Sequence, residues 1–389
     1  MTMTWNKSKL VIPILVFATS GLLLFIRLFG IRVATVRPDR IGHLAGEVDL
    51  YIRKVKLGLS PKHLLIITGL SCNKELIKIL RRHACILSSE PLYRLLSLTS
   101  RFTWQSSILH PLKMTTREYD VFERCTSVVS LTPEEVDRGY REIKKKFGIE
   151  RDDWWVCFHS RDGHYLNSVS NADFSYHRFR DFDINDMLEA MEMVASKGGY
   201  AIRFGSSPEK ILATANSKII DYSFRGRTDF LDIFLCSEAR FFIGSTSGPF
   251  HLPKLFDTPY AICNLIGYGH LTPSPKTLFI TKKIVGPTGQ TLSFADCSNL
   301  GMFDEIKSRL FYHQNMYEKN ELSIVNNSDE EIKKLTEDMF DLVEGKDVIT
   351  KIANVQRIFK DKYFCYSPDR HSAGNIAPSF IKLNPQLFK

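Results

Sequence analysis

Residues Ala239–His251 read A-R-F-F-I-G-S-T-S-G-P-F-H, and this stretch limits the possible folds more than any other. The β-favouring run Phe241–Ile243 stops at Gly244 in small hydroxylated residues, and Phe250–Phe256 then reads as a short helix. A strand–turn–helix corner of this kind belongs to an alternating α/β architecture. It directs unpaired backbone N–H groups and the positive end of a helix dipole into one crevice. Ser245, Thr246 and Ser247 add hydroxyls, while Gly244 and Gly248 allow close approach to the backbone. Such a corner suits a phosphate or diphosphate. In a plain βα turn, the same Ser or Thr would serve only as helix N-cap. A G-x-S-x-G hydrolase elbow is excluded, because Thr246 stands where that motif needs serine.

Around this corner the chain alternates between strand-like and helix-like segments. Ile31–Val36, His63–Thr68 and Ala84–Leu87 read as strands, with helices expected over Leu44–Lys54, Lys74–Arg82 and Glu118–Cys125. Thr132-Pro133-Glu134-Glu135 is an N-cap followed by proline at the first helical position, and that helix ends near Gly148. After the charged segment Ile149–Asp153 a second series starts. Strands are expected at Trp154–Ser160, Tyr200–Phe204, Ile219–Tyr222, Ala239–Gly244 and Tyr260–Asn264, with helices at Ile184–Lys197, Phe230–Ser237 and His251–Phe256. This order predicts parallel sheets covered by helices. The expected fold class is α/β, with two Rossmann-like domains facing a cleft, at 31–150 and 151–300. Residues 301–389 read as a helical tail packing across both, with a capping box at Ser328-Asp329-Glu330-Glu331.

The first 30 residues differ from the rest. Lys7 and Lys9 precede Leu10–Ile26, an uncharged run of about the minimum length for a bilayer span. Arg27, Arg32, Arg37 and Arg40 follow it, so the positive-inside rule keeps the globular part cytoplasmic. The expectation is a single uncleaved anchor at the cytoplasmic face of the inner membrane. The competing reading is a signal peptide cut after Ala18-Thr19-Ser20. A net charge of +9 and a pI near 9.0, without basic runs interleaved with aromatics, suit an anionic membrane face or phosphorylated ligand better than nucleic acid. The eight cysteines are scattered and form no C-x-x-C, which argues against structural zinc and a disulfide framework. Cys157, Cys236 and Cys263 lie in apolar runs and read as buried.

In wound parallel sheets ligands sit beyond the carboxyl ends of the strands. Those positions in the second domain are His159-Ser160-Arg161-Asp162-Gly163-His164, Arg203-Phe204-Gly205-Ser206-Ser207, Asp221-Tyr222 and Gly244–Gly248. Arg161 and Arg203 could each grip a phosphate in a fork; alternatively Arg161 pairs with Asp162, and Arg203 with Asp221 or Asp229. Asp181-Phe182-Asp183 has the form of a metal-binding D-x-D, but Asp183 stands where a helix N-cap belongs, and no metal or cofactor is expected. In the first domain His43 follows the first strand, with Glu47 one turn on to orient it. An imidazole there can take a proton from a hydroxyl. Asp39 is the competing base; in the alternative reading His43 only marks the helix start.

R-I-G-H-L-A-G-E-V-D-L-Y-I-R (Arg40–Arg53), K-G-G-Y-A-I-R-F-G (Lys197–Gly205) and I-I-D-Y (Ile219–Tyr222) carry a family resemblance. So do D-F-L-D-I-F-L-C (Asp229–Cys236), F-F-I-G-S-T-S-G (Phe241–Gly248) and S-F-I-K-L-N-P (Ser379–Pro385). Together they span nearly the whole chain after residue 30, and the chain resembles a family of bacterial glycosyltransferases encoded among surface-polysaccharide genes. The resemblance implies a GT-B-like enzyme with the donor nucleotide on the second domain and the acceptor on the first; the expected donor is a nucleotide sugar and the expected acceptor a lipid-linked or other membrane-borne saccharide. The Gly42-His43 pair also looks like the strand–loop histidine of inverting natural-product glycosyltransferases. The rival readings are a sugar-nucleotide epimerase on the same architecture and a non-catalytic scaffold of a polysaccharide assembly complex.

Overall fold

The computed structural model describes residues 8–102, 109–113, 118–163, 175–206 and 210–389. His164 and Ser207, both expected near strand ends, lie outside the described residues, as does Lys7. The chain forms two compact units: 1–114 with 127–130, and 115–126 with 131–389.

The first unit begins with helix α1 (Ser8–Leu28), followed by β1 (Arg32–Thr35), α2 (Ile41–Lys56), β2 (Leu64–Thr68), α3 (Lys74–Leu80), β3 (Cys85–Ser88) and α4 (Glu90–Phe102). Its three strands pair in parallel in the order β1-β2-β3. Asn73 caps α3 by accepting a bond from Leu76 N at 2.8 Å. Within α2, Arg53 and Asp49 form a buried i,i+4 ion pair at 2.8 Å.

The anchor expected over Leu10–Ile26 is corrected here. Among the described residues no helix is long and apolar enough to cross a membrane. Instead α1 packs into the first unit: Leu23 joins Val33, Ile67 and Leu96 in one core cluster, with Ile26 and Leu92 against it. The stripe was hidden because large apolar side chains also occupy the opposite face of the helix, and because one buried position, Thr19, is polar.

The second unit contains α5 (Tyr119–Arg124), α6 (Pro133–Phe147), β4 (Trp155–His159), α7 (Leu188–Ser196), β5 (Tyr200–Arg203), β6 (Ile219–Asp221), α8 (Asp229–Ser237), β7 (Phe241–Gly244), α9 (His251–Leu255), β8 (Tyr260–Leu265) and β9 (Leu278–Thr281). It continues through β10 (Lys283–Val285), α10 (Phe294–Asn299), α11 (Gln314–Lys319), β11 (Ser323–Val325), α12 (Asp329–Val343), α13 (Ala353–Tyr363), β12 (Asn375–Ile376) and α14 (Pro378–Leu383). Seven strands form one sheet in the order β12-β9-β8-β7-β4-β5-β6, every neighbouring pair parallel. Strands β4, β7 and β8 are buried at every residue, as expected for strands covered on both faces. The Trp155 indole N–H is satisfied inside this core by Leu235 O at 2.9 Å.

Helix α6 carries the expected N-cap at Thr132, which with Glu135 forms a full capping box, with Pro133 in its first turn and Gly148 in the left-handed conformation at its end. It belongs to the second unit, where Gly139 lies so close to Phe234 that an added Cβ would fall 2.0 Å from the ring. The tail also belongs to this unit. Its two-residue strand β12 is fixed at the sheet edge by Gln356, which donates to Ile376 O at 2.6 Å and accepts from Ile376 N at 3.1 Å. The Lys360 ammonium donates to Ala373 O at 2.8 Å and Asn375 Oδ1 at 2.9 Å alongside.

Because Leu23 is buried and Leu24 is half exposed, these neighbours separate a packed helix from a free anchor. Leu23→Ala is expected to destabilise the first unit by ~2–4 kcal/mol and Leu24→Ala by less than ~0.5 kcal/mol. Urea denaturation of the two variants checks this. Equal and negligible costs would mean that α1 does not belong to the core.

Candidate functional site

In the large sheet the chain runs outward from β4 to β5 and β6, then returns to place β7 on the other side of β4. The reversal between β4 and β7 is a topological switch point, where the connections leaving adjacent strand ends diverge and open a crevice. The residues at these ends are His159 through Arg161 after β4, and Gly244 through Gly248 after β7.

Gly244 is required at the corner, since a Cβ there would stand 2.5 Å from the Phe242 ring. Ser245 is fully buried, and its Oγ accepts the Arg161 backbone N–H at 3.0 Å, which ties the two strand ends together. Ser247 Oγ lies 3.2 Å from His159 Nδ1 and makes no cap bond to the following turn. Thr246 Oγ1 is buried and has no hydrogen-bond partner among the described residues. A buried hydroxyl in that condition typically costs ~1–3 kcal/mol. The helix expected over Phe250–Phe256 is a 3₁₀ turn, Gly248–Phe250, followed by the five-residue α9, so its dipole is weaker than a full helix would supply. Hydroxyls and nearby cations therefore define the corner.

Arg161 is buried, pairs with the Asp181 carboxylate and donates to His177 O at 3.3 Å. Arg203 is buried against Asp221, NH1 to Oδ2 3.0 Å, and the same Oδ2 accepts Leu212 N at 3.1 Å. Of the alternatives for Arg203, pairing with Asp221 is the one adopted. Arg161 takes Asp181, twenty residues away, which local spacing does not suggest. Gly205 has φ +146° and passes beside the His159 ring, the imidazole Cδ2 lying 3.5 Å from where its Cβ would be. The D-x-D carboxylates diverge. Asp181 faces Arg161, whereas Asp183 caps the 3₁₀ turn Ile184–Met187 through Asn185 N at 3.0 Å and pairs with Lys210.

Two residues gain importance that sequence alone did not assign. His159, the last residue of β4, is held neutral. Burial pushes its pKa down to about 3, and the charges of Arg203 and Arg161 add to the effect. Lys282, just past β9, is buried and donates to Asp181 O at 2.9 Å. Burial brings its ammonium down to about 8. Asp181 is thus gripped at its carboxylate by Arg161 and at its carbonyl by Lys282. The signal for His159 was its place at a strand end. Lys282 gave none beyond a charge directly after an apolar run.

In the first unit, His43 lies in the first turn of α2 with Nδ1 2.8 Å from Glu47 Oε1. An ionised carboxylate can only accept, so the neutral ring carries its proton on Nδ1 and leaves Nε2 as an acceptor. The N-cap of α2 is Arg40, so His43 is not the cap. Asp39 is half exposed and pairs with Arg37 at 3.1 Å and Arg40 at 3.6 Å. Partial burial would raise its pKa, but the bond from Arg37 and the charges of Arg37 and Arg40 outweigh that and lower it. Asp39 is therefore a weaker base than an ordinary aspartate.

No family model and no curated protein matches the chain. Among solved structures it is similar to the ADP-heptose lps heptosyltransferase II of E. coli, at 10% identity and TM-score 0.42 over 64% of this chain and 90% of that one. It is also similar to a glycosyl transferase family 9 protein from Veillonella parvula, at 11% identity and TM-score 0.39 over 64% and 86%. The E. coli heptosyltransferase WaaC with ADP aligns at 10% identity and TM-score 0.34 over 72% and 100%. The site is defined by the chain's own residues. They define a parallel α/β protein with a hydroxyl-lined, cation-backed corner at its switch point.

The neutral imidazole of His159 gives a signed pH dependence. With a folded value of about 3 against 6.5 unfolded, the unfolded chain binds the extra proton between these limits. Its contribution to stability is complete above pH 6.5 and declines as pH falls, reaching a loss of ~2 kcal/mol by pH 5. Urea unfolding at pH 7.5 and pH 5 should show a larger loss for the wild type than for His159→Gln. Equal losses would mean that His159 is protonated in the fold.

Proposed function

We propose that the chain is a glycosyltransferase that moves a sugar from a nucleotide-sugar donor to a lipid-linked or other membrane-borne saccharide acceptor in surface-polysaccharide synthesis. It would act at the cytoplasmic face of the inner membrane, with the donor on the second unit and the acceptor on the first. The observation that carries this reading is the corner Gly244–Gly248 at the switch point. There an unpartnered buried hydroxyl, Thr246 Oγ1, stands on a strand end tied through Ser245 to the buried cation Arg161.

In this reading the leaving diphosphate lies against Ser245, Thr246, Ser247 and Gly248, with Gly205 allowing close approach. Arg161 and Lys282 supply positive charge as the glycosidic bond breaks, a form of stabilisation that strengthens as charge develops. Arg203 supports the site from behind. Its ion pair with Asp221 is buried, and removing one partner of such a pair typically costs ~3–5 kcal/mol. Because the D-x-D carboxylates are engaged by Arg161, Asn185 and Lys210, we assign the counter-charge to side chains and expect transfer to persist in EDTA.

On the acceptor side His43 is the general base of a single inverting displacement. Glu47 holds Nδ1–H, and Nε2 takes the proton of the attacking hydroxyl as the bond to the sugar forms. Asp39, held by two arginines, is the weaker candidate.

Release of nucleoside diphosphate from nucleotide sugars, in the presence of membrane glycolipid extract, is the direct test. His43→Ala should lower turnover by ~100-fold or more with donor affinity unchanged, and Glu47→Gln by a smaller factor. Asp39→Asn should leave turnover within a few-fold of wild type. Loss of turnover in Asp39→Asn but not His43→Ala would transfer the base to Asp39, and indifference to both would refute this acceptor side.

A further inference from the structure

Helix α1 is apolar on both sides, and only one side is buried. Val16, Thr19 and Leu23 face the first unit, while Ile14, Phe17, Leu24, Phe25 and Leu28 occupy the opposite arc. Phe17 is 83% and Leu28 81% exposed, and Phe29 continues the patch at 68%, edge-on to Phe25. No charged residue interrupts this arc from Ile14 to Ile26. Isolated exposed apolar side chains are common on protein surfaces; a contiguous stripe along a 21-residue helix is not, and marks a surface that is covered in use.

Charge identifies the cover. Residues 1–114 carry seventeen Lys and Arg against five Asp and Glu, a net +12, whereas the whole chain carries +9. The first unit therefore holds all of the excess positive charge, and the remainder of the chain is slightly acidic. Arg27 and Arg32, both exposed, follow the stripe at once, and the half-exposed Arg37 comes five residues later. Two copies of such a unit would repel each other face to face, while an anionic lipid surface attracts one strongly. The apolar arc also matches the acyl boundary beneath such headgroups.

We infer that α1 lies in the plane of an anionic membrane, its inner stripe in the protein core and its outer arc in the headgroup–acyl boundary. Crossing the bilayer would strip Leu23 and Ile26 from Val33, Ile67 and Leu96, so the in-plane mode is the one that keeps the core. The inference does not depend on the transferase reading, although it would place the first unit beside a membrane-borne acceptor.

The test is co-sedimentation of the full chain with vesicles of phosphatidylethanolamine and phosphatidylglycerol, compared with phosphatidylcholine alone. Binding to the anionic vesicles should be at least tenfold tighter and should weaken with added salt. The triple variant Phe17→Ser, Phe25→Ser, Leu28→Ser should lose at least tenfold in vesicle affinity while keeping the wild-type urea midpoint, since none of the three is buried. If that variant folds less stably, the single variant Leu28→Ser, at the exposed end of the stripe, should still lose several-fold. Vesicle binding that survives both variants would overturn the proposal. So would a wild type that ignores vesicles but forms dimers that the variants dissolve, because the stripe would then belong to a second copy. Nucleoside-diphosphate affinity, measured in parallel, should be the same in all these proteins, so its loss would implicate the donor site and not this surface.

Discussion

The second unit depends on the parallel pairing of β4 with β7, made after the chain has already laid β5 and β6 on the other side of β4. The pairing brings together the strand ends His159 and Gly244, 85 residues apart in sequence, and the Arg161 N–H bond to Ser245 Oγ ties them just beyond. Because neighbouring connections leave in opposite directions there, the backbone cannot fill the space beyond the strand ends. What fills the walls is polar: a neutral imidazole, serine and threonine hydroxyls, and buried cations held by carboxylates.

Those carboxylates set what the cations can do. Asp221 is tied to Arg203 and to the backbone of Leu212, so it serves the fold as well as the charge. Asp181 is held by side-chain and ammonium contacts that a competing anion could replace at Arg161. Two arginines that look equivalent in sequence therefore differ. Arg203 is cross-braced within the sheet, whereas Arg161 sits in the loop after β4, bonded to the corner through its backbone and to Asp181 through its side chain. The burial that keeps His159 neutral prevents a further positive charge from accumulating between them.

Much of this was legible because central parallel strands are apolar on both faces. Trp154–Ser160, Tyr200–Phe204 and Ala239–Gly244 differ from β4, β5 and β7 by only one or two end residues. The N-cap at Thr132 and the capping box at Ser328 were equally readable, since their partners lie within four residues. Strand β12 was not, because two residues carry no period, and its place comes from Gln356 and Lys360. The buried stripe of α1 was masked because large apolar residues lie on both its faces, which fits a bilayer span and a packed helix alike. The Arg161–Asp181–Lys282 cluster was invisible because its members are 20 and 101 residues apart and meet only through the sheet. The end of β7 at Gly244 was legible because the apolar run and the small residues after it form one contiguous segment.

The central claim is that this corner receives a diphosphate, and calorimetric titration of the full chain with nucleoside diphosphates and the corresponding nucleosides tests it most directly. The account predicts that at least one nucleoside diphosphate binds tenfold or more tightly than its nucleoside, since each charge-assisted hydrogen bond contributes ~1.5–3 kcal/mol. It further predicts that Thr246→Val and Lys282→Met remove most of that difference while leaving nucleoside binding in place. Equal affinity for diphosphate and nucleoside, or a preference that survives both substitutions, would contradict it.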